Sequence, residues 1–560
     1  MTTKSKELVF VALGGLGEIG MNVYLYGVGS RDDRQWLMVD LGITFPGEFE
    51  PGVDIILPDL RFIQDERNAL SGIVITHAHE DHIGAVIELW PSLRVPLYMT
   101  GFAEGMLRSR LAEYGRGETP EIRQVPRNGQ FQVGEFALEF VPMSHSIPET
   151  SGLVLRTSAG TVFHTADWKL DLEPFVGEPT DEGRIVDLGR EGIDVLVCDS
   201  TNALRDGRSP SETEVAASLS KIISQQSGRV VVTTFSSNVA RIKAVADAAK
   251  TAGRELVVAG RALHRVIGVA IENGYLPLDF QYLDQEHAGY LAPDEALILA
   301  TGSQGESRAA LARIALGEHR DIQLGAGDTV IYSSRTIPGN EKRVLATQNR
   351  LAARGVKIIS DAEGLVHVTG HPRKDELVQM FNWTRPTVMV PMHGETRHLK
   401  ENARLARLSG ISNVAAVSNG QLLRLAPGEP KIVDEVPVGR YFRDGRLIVA
   451  EGSGAVGERR KLAHVGIVVV ALALNTKGEV LGDIDVSLDG IPGEDAQGEA
   501  MENIVLDAVD GTIDSIPRRR RRETEMIREA VRRSVRSAVD RAWGKRPIVK
   551  VLVNVASARV

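Results

Sequence analysis

The sequence predicts an α/β protein of two or three domains, on three observations. Short β-branched runs alternate with segments of helical spacing over most of the 560 residues. One such run, Gly72-Ile73-Val74-Ile75, leads straight into Thr76-His77-Ala78-His79-Glu80-Asp81-His82. A Gly-rich stretch near residue 450 is followed by a further, shorter set of strands and helices.

The histidine stretch is the strongest local signal. His77 and His79, two apart on extended backbone, point to the same side. Asp81 and His82 fall at the start of the next helix and turn toward a second position. Imidazole and carboxylate suit zinc and similar divalent ions, and four ligands facing two ways suggest two metals. With 13 His in the chain, such a pattern has a chance probability on the order of 10⁻³ or less on composition alone, which sets aside a merely polar loop.

Composition narrows the class. Hydrophobic content of 43% and charged content of 25% are those of a soluble globular protein. The single cysteine, Cys198, rules out an intramolecular disulfide and fits a reducing compartment. No signal peptide opens the sequence, and the longest apolar run, residues 466–474, is too short to span a bilayer. A cytoplasmic enzyme is expected. The net charge of −9 argues against indiscriminate binding to polyanions. It still admits a nucleic acid held in a local groove beside metal ions.

Taken in order, the chain opens on Gly15-Leu16-Gly17-Glu18-Ile19-Gly20, a G-x-G-x-x-G match with Asp40 downstream. A dinucleotide fold needs a helix next. Residues 21–26 and 36–40 instead read as strand, turn and strand, a hairpin. The Gly/Pro-rich loop 42–58 carries Phe45 and Phe49, read either as pinned to a core or as a platform on which a base stacks. Three later strands each deliver a ligand-type residue: His145 after 136–142, Asp167 after the next pair, and Asp199 after 195–197. Singly, such a His is a structural hydrogen-bonder and such an Asp a cap. Their repetition behind a metal motif raises them.

Residues 210–361 alternate strands and helices as a parallel α/β unit does. Its strand ends carry the loops Thr234-Phe235-Ser236-Ser237-Asn238, Thr301-Gly302-Ser303-Gln304-Gly305-Glu306 and Ser333-Ser334-Arg335. The second precedes a predicted helix, 307–316, whose first N–H groups suit a phosphate; a tight turn with a good N-cap is the other reading. Ligand-rich sequence then returns in His367-Val368-Thr369-Gly370-His371 and in Met392-His393-Gly394-Glu395. Beyond the Gly-rich stretch, strands near 465–474 and 479–488, helices near 494–516 and 523–543 and a strand at 548–555 make a small α/β domain. Between its helices sit five consecutive arginines, Arg518 to Arg522, read as a solvated loop or as a contact to RNA.

The H-x-H-x-D-H stretch, His145 and Asp167 resemble successive motifs of the metallo-β-lactamase superfamily. Asp199, His371 and His393 extend the resemblance to its β-CASP branch. The G-G-x-G-E-I-G-x-N opening, T-G-S-Q-G-E, H-x-T-G-H and P-M-H-G-E together resemble the ribonuclease J family, with Thr369 keeping the hydroxyl of that family's serine. The resemblance implies an αββα metallo-β-lactamase sandwich, in two parts at 1–210 and 362–449, with a β-CASP α/β domain inserted at 211–361. A linker at 450–464 and a C-terminal α/β domain at 465–560 complete the expected layout.

It further implies a ribonuclease of RNA maturation and decay, acting on rRNA and mRNA as a 5′→3′ exonuclease and as an endonuclease. His77, His79 and His145 would hold one metal and Asp81, His82 and His393 the other, with Asp167 bridging. Zinc is the default and manganese the alternative. Two such cations roughly 3.5–4 Å apart activate a water and stabilise charge on the phosphate, so Asp81 counts with the catalytic residues. His371, oriented by Asp199, would protonate the leaving oxygen.

A pocket for a 5′-monophosphate is expected from Ser237, Asn238, Gly302, Ser303, Gln304, Gly305, His367, Thr369, Gly370 and His371. Phe45 or Phe49 would stack the terminal base. Few cations are evident there to welcome a triphosphate. Implied partners are single-stranded RNA, a second copy (dimer or tetramer) through the C-terminal domain and an RNA-degrading complex, with no membrane. A small-molecule hydrolase, such as a lactonase or thioesterase, is the rival. It leaves the inserted domain and the later histidines without a role. A non-enzymatic RNA-binding scaffold conflicts with so complete a ligand set.

Overall fold

Sequence periodicity decides the layers. In the strand Glu7–Gly14, Leu8, Phe10 and Ala12 face one side and Val9, Val11 and Leu13 the other, and all six are buried. Strands apolar on both faces need cover on both. The computed structural model, which describes residues 6–115 and 118–556, provides it. Residues 1–5 and 557–560, the outer ends of the first and last predicted domains, lie outside the described residues. The chain forms two compact units, Met1–Phe45 with Ile55–Tyr441, and Pro46–Asp54 with Phe442–Val560.

In the first unit, an eight-stranded and a seven-stranded sheet lie face to face. The layer between them holds Phe10, Tyr24 and Tyr26 from one sheet and Phe136, Phe140, Leu155 and Val197 from the other. Fully burying one such Phe or Leu side chain contributes about 1.5–3 kcal/mol, so these inward rows hold the sheets together. Helices Val86–Leu93 and Gly101–Tyr114 cover the outer face of the first sheet. Helices Glu182–Glu191, Lys374–Thr384 and Thr396–Leu408 cover the outer face of the second. The result is the expected αββα order. The G-x-G-x-x-G match proves to be no nucleotide fold: Val23–Ser30 pairs antiparallel with Asp33–Val39, as a hairpin.

A third sheet of six strands, all parallel, is the inserted α/β domain. A buried guanidinium ties it to the sandwich. Arg241 Nη2 donates to Glu212 Oε2 at 2.7 Å, and Nη1 donates to Val366 O at 2.9 Å and to Ser333 O at 3.1 Å. It also bonds the Ser333 hydroxyl. Removing one partner of a buried pair leaves an uncompensated charge at a cost of about 3–5 kcal/mol. The pair thus specifies where the return segment 366–371 lies.

Four expectations are corrected. The helix after the T-G-S-Q-G-E loop spans only Ala310–Leu316. Its first N–H groups serve the loop itself: Ala310 N donates to Thr301 Oγ1 and Leu311 N to Thr301 O. They are not free for a phosphate. The linker at 450–464 contains a helix, Gly454–Val465, because residues 458–463 are all strong helix formers. The next predicted helix starts not at 494 but at Met501, since Asp495 Oδ1 accepts from Gln497 N and Glu499 N and makes a turn instead.

In the second unit, Val480–Asp489, Ile467–Asn475 and Ile548–Ala556 form a three-stranded sheet. Alternate residues of its central strand, Val468, Val470, Leu472 and Leu474, pack on helices Met501–Ser515 and Thr524–Trp543. Among the described residues, no helix is long and apolar enough to cross a membrane.

Candidate metal centre

The strand ends that deliver ligand-type residues belong to both sheets of the sandwich. Leu70–Val74 runs parallel to Asp33–Val39, and Gly160–His164, Val195–Asp199 and Val388–Met392 run parallel to one another. Their carboxyl ends carry Asp40, the 76–82 stretch, Asp167, Asp199 and His393. Among the described residues, ligand atoms within 4.8 Å of one another form three groups: His77, His79, His145 and Asp167; Asp81, His82, Asp167 and His393; and Asp167, Asp199, His371 and His393. Asp167 belongs to all three.

The first group is a test of fit for a metal. His79 Nδ1 lies 3.1 Å from His77 Nε2 and 3.1 Å from His145 Nε2. The Thr76 hydroxyl donates to Asp40 Oδ2, so it accepts from His77 Nδ1 at 3.1 Å. His145 Nδ1 donates to Gly370 O at 2.6 Å. Both Nε2 atoms therefore present bare lone pairs, and His79 holds one proton at most for the two contacts. A tetrahedral zinc with ligands at about 2.0–2.1 Å sets its nitrogens about 3.3 Å apart. These side chains fit a divalent cation and are ill matched to one another.

In the second group, His82 Nε2 lies 3.3 Å from Asp167 Oδ2 and 3.6 Å from Asp81 Oδ2. His393 Nε2 lies 3.3 Å from Asp81 Oδ2, and its Nδ1 lies 2.8 Å from Asp167 Oδ1. In the third, His371 Nδ1 meets Asp199 Oδ2 at 2.7 Å.

Electrostatics separates the histidines into two kinds. Burial pushes His77 and His145 well below the usual imidazole range and His79 down to about 4. His82 is also penalised by burial, yet Asp167, Asp81 and Asp40 carry it up to about 10. His393 is likewise raised, with Asp167 the main charge opposing burial. Burial would raise Asp81, Asp167 and Asp199, but the facing imidazoles hold all three below the usual carboxylate range.

Sequence reasoning missed the residues behind these ligands. Asp40 is fully buried; Oδ1 accepts from Thr76 N at 2.8 Å and Oδ2 from His82 Nδ1 at 2.7 Å. By taking the Nδ1 proton it fixes the ring so that Nε2 faces Asp81 and Asp167. Asn22 Nδ2 lies 3.0 Å from that Nε2 and donates to Asp81 O at 3.1 Å, while Tyr24 OH donates to Asn22 Oδ1 at 2.7 Å. The asparagine of the G-G-x-G-E-I-G-x-N opening was the available signal. Two glycines permit close approach. A Cβ on Gly42 would sit 1.7 Å from Asp81 O, and one on Gly370 would sit 2.5 Å from His145 Nδ1. His164, in contrast, turns into the sandwich, with Nδ1 2.9 Å from Tyr26 OH.

The expected phosphate-pocket residues gather in part. The loops after the parallel strands of the insert meet the return segment through Arg241, through the Phe235 and His367 rings at 6.5 Å, and through Asn202. Asn202 donates to Thr369 Oγ1 at 2.8 Å and accepts from Arg335 Nη1 at 2.8 Å. Several candidate groups prove to be committed. Asn238 caps its own helix by accepting from Arg241 N. Gln304 donates to Arg335 O and accepts from Ile337 N, and Gly302, Ser303 and Gly305 are buried with it. Ser237 is half-buried at its loop, and His367 Nδ1 is buried without a hydrogen-bond partner.

Burial and Arg241 push His367 down to about 3, so it is a neutral imidazole. The expectation of few cations is corrected by Arg335, which has Arg205, Arg373 and Arg397, with Asp361 as the acid beside them, in its electrostatic surroundings. Phe45 is 62% exposed and Phe49 67%. Both are therefore free of a core, and Phe49, in the second unit, has the Arg460 guanidinium 5.9 Å from its ring centre. Replacing Asp40 with Asn should lower metal affinity by about 10–100-fold, the usual cost of losing such a partner. Titration of the apoprotein with a divalent metal checks this.

Comparison with known proteins agrees with this architecture. Residues 49–208 match a beta-lactamase superfamily domain and residues 355–416 a Zn-dependent metallo-hydrolase RNA specificity domain. Residues 227–351 match the beta-CASP domain of ribonuclease J, and residues 454–555 its C-terminal domain. A crystal structure of a protein of unknown function from Enterococcus faecalis superposes with a TM-score of 0.51 at 15% identity, over 75% of this chain and 100% of that one, a likeness of fold alone. Ribonuclease J of Mycolicibacterium smegmatis is 37% identical over 96% of this chain and 95% of its own length. Ribonuclease J of Sinorhizobium meliloti is 50% identical over 98% of both chains. A His/Asp centre suited to metal, set in a sandwich with this insert and matched along nearly its whole length, leaves one conclusion: the chain belongs to the ribonuclease J family.

Proposed function

We propose that this metal-dependent ribonuclease removes nucleotides from the 5′ end of single-stranded RNA, cuts internally as well, and prefers a 5′-monophosphate end. The observation that carries the reading is the return segment 366–371. It touches the ligand cluster through Gly370 O to His145 and His371 to Asp199, and the insert through Val366 O to Arg241. A lactonase or thioesterase needs no such connection. His77, His79 and His145 would hold one cation, and Asp81, His82 and His393 a second, with Asp167 shared. Zinc suits the three-imidazole face and manganese the carboxylate-rich one. Bound there, the ions would lower the pKa of a water and offset charge on the phosphate.

The chain's own groups do the rest. Asp199 takes His371 Nδ1, which leaves Nε2 to carry a proton to the departing oxygen. Ser237 Oγ and the neutral His367 offer uncharged contacts to a terminal phosphate, and Arg335 one cationic contact. The exposed Phe45 ring suits stacking of the terminal base, worth roughly 1–3 kcal/mol without sequence preference. We place the enzyme in the reducing cytoplasm on its one cysteine, Cys198, which is buried and free. Self-association, into dimers or tetramers, is assigned to the compact C-terminal fold. A chain ending at Gly454 should then sediment as a monomer, and one that keeps the assembly state of the full protein would place the contact elsewhere.

The central test compares one labelled RNA carrying a 5′-monophosphate, a 5′-triphosphate or a 5′-hydroxyl, with and without chelator, beside a lactone and a thioester. Mononucleotides released first from the monophosphate end, and only without chelator, are expected. Equal rates on all three ends, or release from the 3′ end, would contradict the pocket and the direction. In the same assay His371→Ala should lose roughly 10²–10⁴ in turnover while keeping its metal. Loss of metal would make His371 a ligand instead.

A further inference from the structure

The most uneven charge in the chain lies outside the metal centre. Residues 516–550 carry eleven Arg and two Lys against four Asp and Glu, a net +9 within a chain whose total is −9. The remainder is therefore near −18. These residues form the turn Arg518–Arg520 and the helix Thr524–Trp543 of the second unit.

Their packing keeps the charge outside. Ile527, Val531, Val535 and Val539 are wholly buried in the unit's core. Their spacing of four turns Arg532, Arg533 and Arg536 to the outer face. Arg521 is the anchor of the turn. Its Nε donates to Ile516 O at 2.8 Å and its Nη2 to Asp514 O at 3.2 Å. The other four arginines of the run are exposed. Among the described residues, Arg518, Arg519, Arg522 and Arg536 have no carboxylate at ion-pair distance, and Arg520 has only Glu523 at 3.7 Å. Glu529 is shared between Arg532 at 2.8 Å and Arg533 at 3.5 Å.

We infer that this turn and the outer face of the helix form a second RNA-binding surface, which grips the phosphate backbone of the RNA body without reading its sequence. The inference rests on the RNA-degrading function proposed above. From Thr524 to Arg536 the helix rises about 18 Å, enough with the turn before it to meet roughly four to six phosphates. Every apolar residue in the helix's repeating core row is turned inward, so the outer face offers no apolar pocket to anchor a peptide. Such a surface suits a regular polyanion. So dense a patch of one sign also repels a second copy of itself. Holding the body of a transcript on the same chain as the nuclease raises the local concentration of its end.

The test uses the full-length protein with Arg518, Arg519, Arg522, Arg533 and Arg536 each changed to Gln. Binding is read by anisotropy on uncleavable phosphorothioate RNAs of about five and about forty nucleotides, between about 50 and 200 mM salt. The variant should bind the long RNA roughly 10–100-fold more weakly at the lower salt, and its log–log salt slope should fall by about 3–4. Affinity for the short RNA, and turnover of a cleavable short RNA, should not change. Arg533→Gln with Arg536→Gln leaves the turn intact and should give a proportionate part of the effect.

Unchanged affinity and slope on long RNA would overturn the inference. So would displacement of the RNA by poly-glutamate of equal charge at lower concentration, which would mark the surface as a dock for an acidic protein. A wild-type protein that binds long RNA through these arginines but degrades none would instead contradict the proposed function and leave the surface standing.

Discussion

Bare imidazole nitrogens and carboxylates, buried or half-buried together at the carboxyl edge of two sheets, are the constraint on which the rest of the first unit depends. His77 Nε2, His79 Nδ1 and His145 Nε2 converge at 3.1 Å with too few protons between them. Asp81, Asp167 and Asp199 hold their charges nearby against a burial that opposes ionisation. An unpaired buried charge is expensive, and bare lone pairs face each other only when something positive sits between them. The centre is consequently most stable with cations in place, and its folding and loading are linked.

Holding such a set together needs a rigid surround. Asp40, Ala166 and His393 adopt φ of 63°, 52° and 49°, left-handed values that non-glycine residues rarely take and that cost of order 1–3 kcal/mol each. All three lie at strand ends that border the centre. The loops are also laced to one another by backbone: Asn22 N donates to Asp81 O, Leu41 N to His82 O and Ile43 N to Glu80 O. Arg241 and Glu212 extend this fixing to the inserted domain. That pair adds little net stability. Its effect is to set the carbonyl of Val366, one residue before the neutral His367 and five before His371.

Much of this was legible in the sequence because it is local. The spacing in 76–82 declares its two facings, and the alternation in Glu7–Gly14 declares two covered faces. What escaped notice is long-range or competitive. Asp40 meets His82 across 42 residues, and Arg335 meets Asn202 across 133. No periodicity carries such pairs. Asn238 and Gln304 are polar residues in inviting loops, yet Asn238 spends its side chain on its own helix start and Gln304 on the backbone of the 335–337 loop, a competition invisible without coordinates. The helix Gly454–Val465 hid behind three small residues that resemble a linker.

The most direct measurement of the shared centre is the metal content of Asp167→Ala, beside wild type and His77→Ala, in folded protein of equal secondary structure. One carboxylate common to all three groups predicts that Asp167→Ala loses both ions, whereas His77→Ala loses one. An Asp167→Ala protein that keeps two ions per chain would contradict the account.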